Sequence, residues 1–209
     1  YSDNNGTSWV DINGQTSATL TTNAKNTLGT RDYRRRITCA GNTAFSTVGT
    51  FTTTYCTPAP TSVDGTGITN VTFGIGPVVN NTTIAEAGNY GDYSAKIGAV
   101  YEGTTPAMSV EFSTGYTYQT KIWVDWDNNG TFDPVSEKVF EGTSSSINPT
   151  TLSTDFLIPP LTPAGNYRMR IGGGDLGFPD PCYTGSWASF EDYTLQVLSS
   201  GPCISPPTG

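Results

Sequence analysis

Apolar and polar residues alternate along four stretches of this chain: 108–112 (MSVEF), 117–126 (TYQTKIWVDW), 167–171 (YRMRI) and 193–198 (YTLQVL). A period of two puts every second side chain on one face of an extended backbone, so each stretch predicts a strand with one buried side. Gly, Pro and Asn bound these stretches, as the turns between strands require. Helical periodicity is nearly absent. Only 82–87 (TTIAEA) predicts a turn of helix, with Thr82 or Thr83 as its cap. The run Gly172, Gly173, Gly174 follows a strand without the lysine and helix of a phosphate loop, and is read as a loop or bulge. The predicted class is all-β, an antiparallel β-sandwich.

Prolines interrupt the pattern at 56–62 (CTPAPTS) and place a domain boundary there. Before it, strands are expected at 9–12, 18–22, 32–39 and 47–54. An immunoglobulin-like sandwich takes about seven strands and about 100 residues. Residues 1–55 therefore predict the back half of such a domain. A second sandwich is expected over 56–198, and 199–209 is a linker or the opening of a further repeat.

Composition sharpens this picture. Charged residues are 13% of the chain, about half the usual quarter, while 11% aromatics supply apolar surface for a core. Thr, Ser, Asn and Gly fill the difference, which suits short strands and tight turns. A net charge of -8 and a pI near 4.3 exclude nucleic acid and anionic membranes as partners on electrostatic grounds. The basic run Arg34, Arg35, Arg36 is read as strand residues with solvated heads. No stretch approaches the roughly 18 apolar residues of a membrane-inserted span. The cysteines, Cys39, Cys56, Cys182 and Cys203, form no CxxC and have no histidine to join them at a zinc site. Disulfides in an oxidising, extracellular setting are expected, with buried free thiols as the alternative, and spacing alone leaves three pairings open.

Against so few charges, residues 124–137 (VDWDNNGTFDPVSE) carry four acids. Calcium takes six to eight oxygen ligands, and a loop offering carboxylates or amides at alternate positions around a glycine can wrap one ion. Asp125, Asp127, Asn129, Gly130, Thr131 and Asp133 match positions 1, 3, 5, 6, 7 and 9 of such a loop. Position 12 is Ser136, and the glutamate comes one residue late, at Glu137. With strand pattern before it, the stretch predicts a calcium loop at a β-hairpin tip rather than between helices. The alternative is an Asn-Asn-Gly turn whose aspartates bond to local amides. Clustered like charges disfavour their own ionised state unless a cation compensates, which favours calcium.

Other chemistry finds less support. Glu191 and Asp192 either close the same cation site from another strand or cap a strand entry. The chain has no histidine, GxSxG or HExxH, which removes the usual acyl-transfer and zinc-protease machinery. Glu111 with Asp125 is a conceivable glycosidase pair, although nothing in the sequence raises either pKa. Tyr183 and Trp187, in the loop DPCYTGSW beside Cys182, are the aromatics placed to stack on a sugar.

Two resemblances extend this reading. YSDNNGTSWVDINGQTSATL followed by RDYRRRITC resembles the later strands of immunoglobulin-like repeats in large secreted and surface proteins of Bacteroidetes-type bacteria, and CISPPTG at 203–209 resembles the opening of another repeat. Residues 56–198 resemble the GEVED domain of the same proteins. This rests on YCTP (55–58), NVTFG (70–74), YGDYS (90–94), IWVDWDNNGTFD (122–133) followed by Glu137, Ile158-Pro159, YRMRI, and Ala188-Ser189-Phe190-Glu191-Asp192 before YTLQV. Only Glu191 and Asp192 of that last motif keep the family's residues, and Ser189 stands where a glutamate is usual. The resemblance implies a non-enzymatic, secreted or cell-surface module, an adhesin-like bead in a tandem array or filament. It implies a Cys56 to Cys182 disulfide, a partner upstream for Cys39, one outside or back in the first domain for Cys203, and assembly with neighbouring copies. The alternative is a carbohydrate-binding accessory domain that contacts surface glycans.

Overall fold

A computed structural model describes residues 1–15, 17, 19–20 and 28–199. The expected strand at 18–22 and the tail at 199–209, Cys203 included, lie wholly or largely outside these. The chain divides into two compact units. One is built on Tyr1–Tyr55 with Asp127–Thr131, the other on Cys56–Trp126 and the described residues from Phe132 onward.

In the first unit β1 (Gly29–Tyr33) pairs antiparallel with β4 (Gly49–Thr53), and β2 (Arg36–Cys39) with β3 (Asn42–Phe45). Ala40 and Gly41 turn the β2–β3 hairpin with φ of 47° and 83°, the positive pair that a two-residue hairpin loop demands. The expected strand at 32–39 divides, because Arg34 stacks its guanidinium over the rings of Trp9 at 3.9 Å and Phe45 at 4.0 Å. Residues 9–12 form no strand. There the Trp9 indole donates to the Gly6 carbonyl and the Val10 amide to that of Tyr1, which closes a local loop instead. Cys39 is an exposed thiol.

Among the described residues the second unit is a two-sheet sandwich of nine strands: β5 (Ile68–Phe73), β6 (Val79–Thr82), β7 (Tyr90–Tyr101), β8 (Ala107–Phe112), β9 (Gln119–Val124), β10 (Lys138–Thr143), β11 (Thr150–Asp155), β12 (Gly165–Gly174) and β13 (Ala188–Leu198). One sheet has the order β10-β9-β12-β13-β7, the other β11-β8-β5-β6. All pairings are antiparallel except β13 with β7. The predicted sandwich is therefore present with one parallel seam, which its long-range connection permits. Between the sheets pack Val71, Val110, Phe112, Ile122, Val124, Met169, Ile171, Tyr193, Leu195 and Val197, all under 2% exposed. These are the alternate positions of the four stretches read from the sequence, with β5 added opposite them.

Two expectations fail here for physical reasons. The helical turn expected at 82–87 forms later, as a 3₁₀ turn over Ala87–Asn89 that takes in only the last of these residues: β6 runs through Thr82, and Thr83 spends its side chain on contacts with Ile68 and Glu191 rather than on a helical cap. The glycine run is neither loop nor bulge but the end of β12, in regular register with β13. A Cβ on Gly172 would run into the ring of Phe190, and one on Gly173 would stand 2.7 Å from Phe112 Cε1 and 2.9 Å from Tyr118 Cδ1. The glycines let three aromatic rings lie against the strand. Replacing Gly in a strand with Ala ordinarily gains about 0.5–1 kcal/mol, but overpacking a closed core costs about 1–3 kcal/mol. Gly173→Ala is accordingly expected to lower the urea midpoint, and an unchanged or raised midpoint would show that these rings can give way.

Candidate functional site

The acidic stretch is the connection between β9 and β10, so it sits at a hairpin tip as its strand-like lead predicts. Alternation along β9 sends Ile122 and Val124 into the core and leaves Trp123 and Asp125 on the opposite face, both with no exposed surface. Asp125 is held by its amide, which donates to the Arg168 carbonyl at 3.0 Å. Asn128 and Gly130, with φ of 53° and 86°, bend the tip. Within that bend the Asn129 amide and side chain both donate to Asp127, at 3.0 and 2.9 Å, while Thr131 donates its amide and hydroxyl to Asn129 Oδ1 at 2.8 and 2.5 Å.

The late glutamate has a local cause. Residues 134–136 form a turn, and the Asp133 carboxylate caps it by accepting the amides of Ser136 at 2.7 Å and Val135 at 2.9 Å. The Ser136 and Val135 amides hold this carboxyl below the usual carboxylate range. The turn returns Glu137 to the loop interior, its own amide donating to the Asp133 carbonyl at 3.3 Å. There Glu137 Oε1 accepts the Trp126 amide at 2.9 Å and Oε2 the Asp133 amide at 2.8 Å.

Of the four acids among the six residues read as ligands, three come together. One carboxylate oxygen from each of Asp125, Asp127 and Glu137 lies within 4.8 Å of the others; Asp125 and Glu137 are buried and Asp127 is exposed. Asn129, Thr131 and Asp133 are engaged in the turn itself. Three carboxylate oxygens at this spacing, two of them withdrawn from water, suit a hard divalent cation and supply none of the nitrogen or sulfur that zinc favours.

The second acidic feature does not join this cluster. Glu191 and Asp192 are neighbours on a strand and therefore face opposite ways. Asp192 points to the outer face, where it forms a bidentate pair with Arg170 at 2.7 and 2.8 Å, both side chains having no exposed surface. Arg170 also donates to the carbonyls of Pro181 at 2.7 Å and Cys56 at 2.9 Å. Its guanidinium lies 4.7 Å from the centre of the Phe132 ring. Those carbonyls belong to two segments joined by a Cys56–Cys182 disulfide, so the ion pair and the disulfide fasten the same loops onto the sheet. Glu191 instead enters the space between the sheets. Its Oε2 accepts the Tyr193 hydroxyl at 2.6 Å, and its Oε1 lies 3.0 Å from the Thr83 hydroxyl.

Sequence reasoning missed the Arg170–Asp192 pair, which depends on the register of β12 with β13 and left no local signal. The placement of Glu191 did leave one. Extending the apolar alternation of Tyr193, Leu195 and Val197 backwards by two residues puts Glu191 on the core face. Glu111 sits on β8 between core residues Val110 and Phe112 and faces away from the inter-sheet space, so it is no partner for Asp125. Of the two aromatics read as sugar platforms, Tyr183 stacks on Phe190 and donates to the Ser186 carbonyl, while Trp187 is 40% exposed.

Residues 119–196 match the family model of the GEVED domain. Over this segment the chain is similar to a GEVED domain. The matched segment runs from the first residue of β9 into β13 and contains the whole acidic loop, Arg170, Glu191 and Asp192. GEVED domains are β-domains often found in secreted proteins. Comparison with curated proteins gave no match.

Proposed function

We propose that this protein is an extracellular, non-enzymatic structural module whose GEVED-like sandwich is stiffened by calcium in the β9–β10 loop. The observation that carries this is the gathering of Asp125, Asp127 and Glu137 within one loop, two of them buried. Bringing three carboxylates this close raises their electrostatic energy, and a divalent ion bound among them reverses the sign of that term. Glu137 holds the loop closed through two amides whether or not an ion is present, and Asp127 completes the cluster from the solvent side. Asn129, Thr131 and Asp133, the other members of the ligand pattern, and water would supply the remaining oxygens. The disulfide and the absence, among the described residues, of a helix long and apolar enough to cross a membrane accord with secretion. In this setting the module acts as a bead that spaces or joins neighbouring copies of the polypeptide.

An ion that binds only the folded chain stabilises it by about 2.7 kcal/mol at a hundredfold excess over its Kd. Chelator is therefore expected to lower the melting temperature of the native protein, and calcium to restore it. Asp127→Ala should melt like the chelated native protein with or without calcium, because Asp127 is exposed and bonds only within the tip. A native protein that melts identically in calcium and in chelator would contradict the proposal.

A further inference from the structure

Thr83 Oγ1 stands 3.0 Å from two oxygens at once, the Ile68 carbonyl and Glu191 Oε1. A hydroxyl has one hydrogen to give. The other end of Glu191 is fixed, since Tyr193 accepts from Asn81 Nδ2 at 2.9 Å and must direct its own hydrogen to Oε2 at 2.6 Å. With Glu191 ionised, one of the two Thr83 contacts would be oxygen against oxygen with no hydrogen between. With Glu191 protonated on Oε1, every contact holds one hydrogen. Asn81 then donates to Tyr193 and Tyr193 to Oε2, while Oε1–H donates to Thr83 and Thr83 to the Ile68 carbonyl.

The surroundings favour the same state. Glu191 has no exposed surface, and among the described residues no lysine or arginine forms an ion pair with it. The titratable groups that face it are Tyr193 on its own strand, Tyr93 on β7, and Glu86, to which Tyr93 donates. The charge of Glu86 disfavours a second carboxylate nearby. Asp192 and Arg170 neutralise each other on the opposite face of the sheet. Burial, with Glu86 adding to it, pushes the Glu191 carboxyl up to about 7.

We propose that Glu191 is held as the neutral acid and serves as a pH-sensitive latch between the two sheets. It joins β13, inside the five-stranded sheet, to β6 and Thr83 at the edge of the four-stranded one. The sign follows from linkage. The folded pKa lies above the unfolded value, so the latch contributes fully below about pH 4.5 and loses its contribution progressively as pH rises through about 7. Rising pH places a charge in the core and loosens β6.

Two measurements test this, both in chelator so that the acidic loop is the same throughout. In Glu191→Gln, the amide donates to Thr83 and its oxygen accepts from Tyr193, reproducing the neutral acid at every pH. The unfolding constant of the native protein relative to Glu191→Gln is expected to rise about a hundredfold between about pH 4.5 and about pH 8. The ¹³C resonance of the Glu191 carboxyl in the native protein should titrate with a midpoint near 7. A midpoint in the ordinary carboxylate range, or parallel pH profiles for the two proteins, would overturn the proposal. Should Glu191→Gln fail to fold, the native carboxyl resonance decides alone.

Discussion

Arg170→Met is expected to cost the two-sheet sandwich about 3–5 kcal/mol, the usual penalty for leaving one member of a buried ion pair without its partner. The effect should be large because so much converges on one guanidinium. Its removal strands the Asp192 carboxylate at zero exposure and takes the donors from the Cys56 and Pro181 carbonyls. Tyr90, which donates to Asp192 at 3.0 Å, and Arg168 at 3.4 Å remain, but both approach only Oδ2. Arg170→Met/Asp192→Leu should recover part of the loss, since removing both charges leaves no unpaired ion. Urea denaturation of the two variants checks this. A double variant less stable than the single one would mean that the carbonyl contacts, not the ion pair, dominate.

Loss of the Cys56–Cys182 disulfide is the second large effect expected. The bond closes a loop over a sequence separation of 126 and restricts the unfolded chain accordingly, for a loss of about 2–5 kcal/mol when it is removed. At about 2–4 °C per kcal/mol for a domain of this size, Cys56→Ser/Cys182→Ser should melt about 10 °C lower. Cys182 is exposed, so a reductant should reach the bond in the folded protein and lower the native melting temperature without affecting the double serine variant. Because Arg170 binds the carbonyl of Cys56 itself, the serine pair and Arg170→Met should cost less together than the sum of their separate effects. Full additivity would show that disulfide and ion pair hold different loops.

Much of the two-sheet sandwich was legible in the sequence because alternation is a local signal. Ile122, Val124, Met169, Ile171, Tyr193, Leu195 and Val197 occupy alternate positions of the stretches that predict one buried side, and all lie in the core. The acidic loop was legible for the same reason, its residues lying within one hairpin connection. What could not be read was which of them would point inward. Asp133 is a ligand candidate on spacing, and the turn at 134–136 uses its Oδ1 as a cap while returning Glu137, the other late candidate, to the loop interior. The glycine run misled because glycine in a strand is usually a break. Here the reason for it lies in Phe112, Tyr118 and Phe190, residues distant in sequence. The outer-face pairing of Arg170 with Asp192 was invisible for the same cause.

Titration of calcium into the chelator-stripped protein, followed by calorimetry, tests the account most directly. One ion is expected to bind per chain, with binding lost in Asp127→Ala while that variant stays folded. Absence of calcium binding by the native chain, or binding that Asp127→Ala leaves unchanged, would contradict the assignment of the β9–β10 loop.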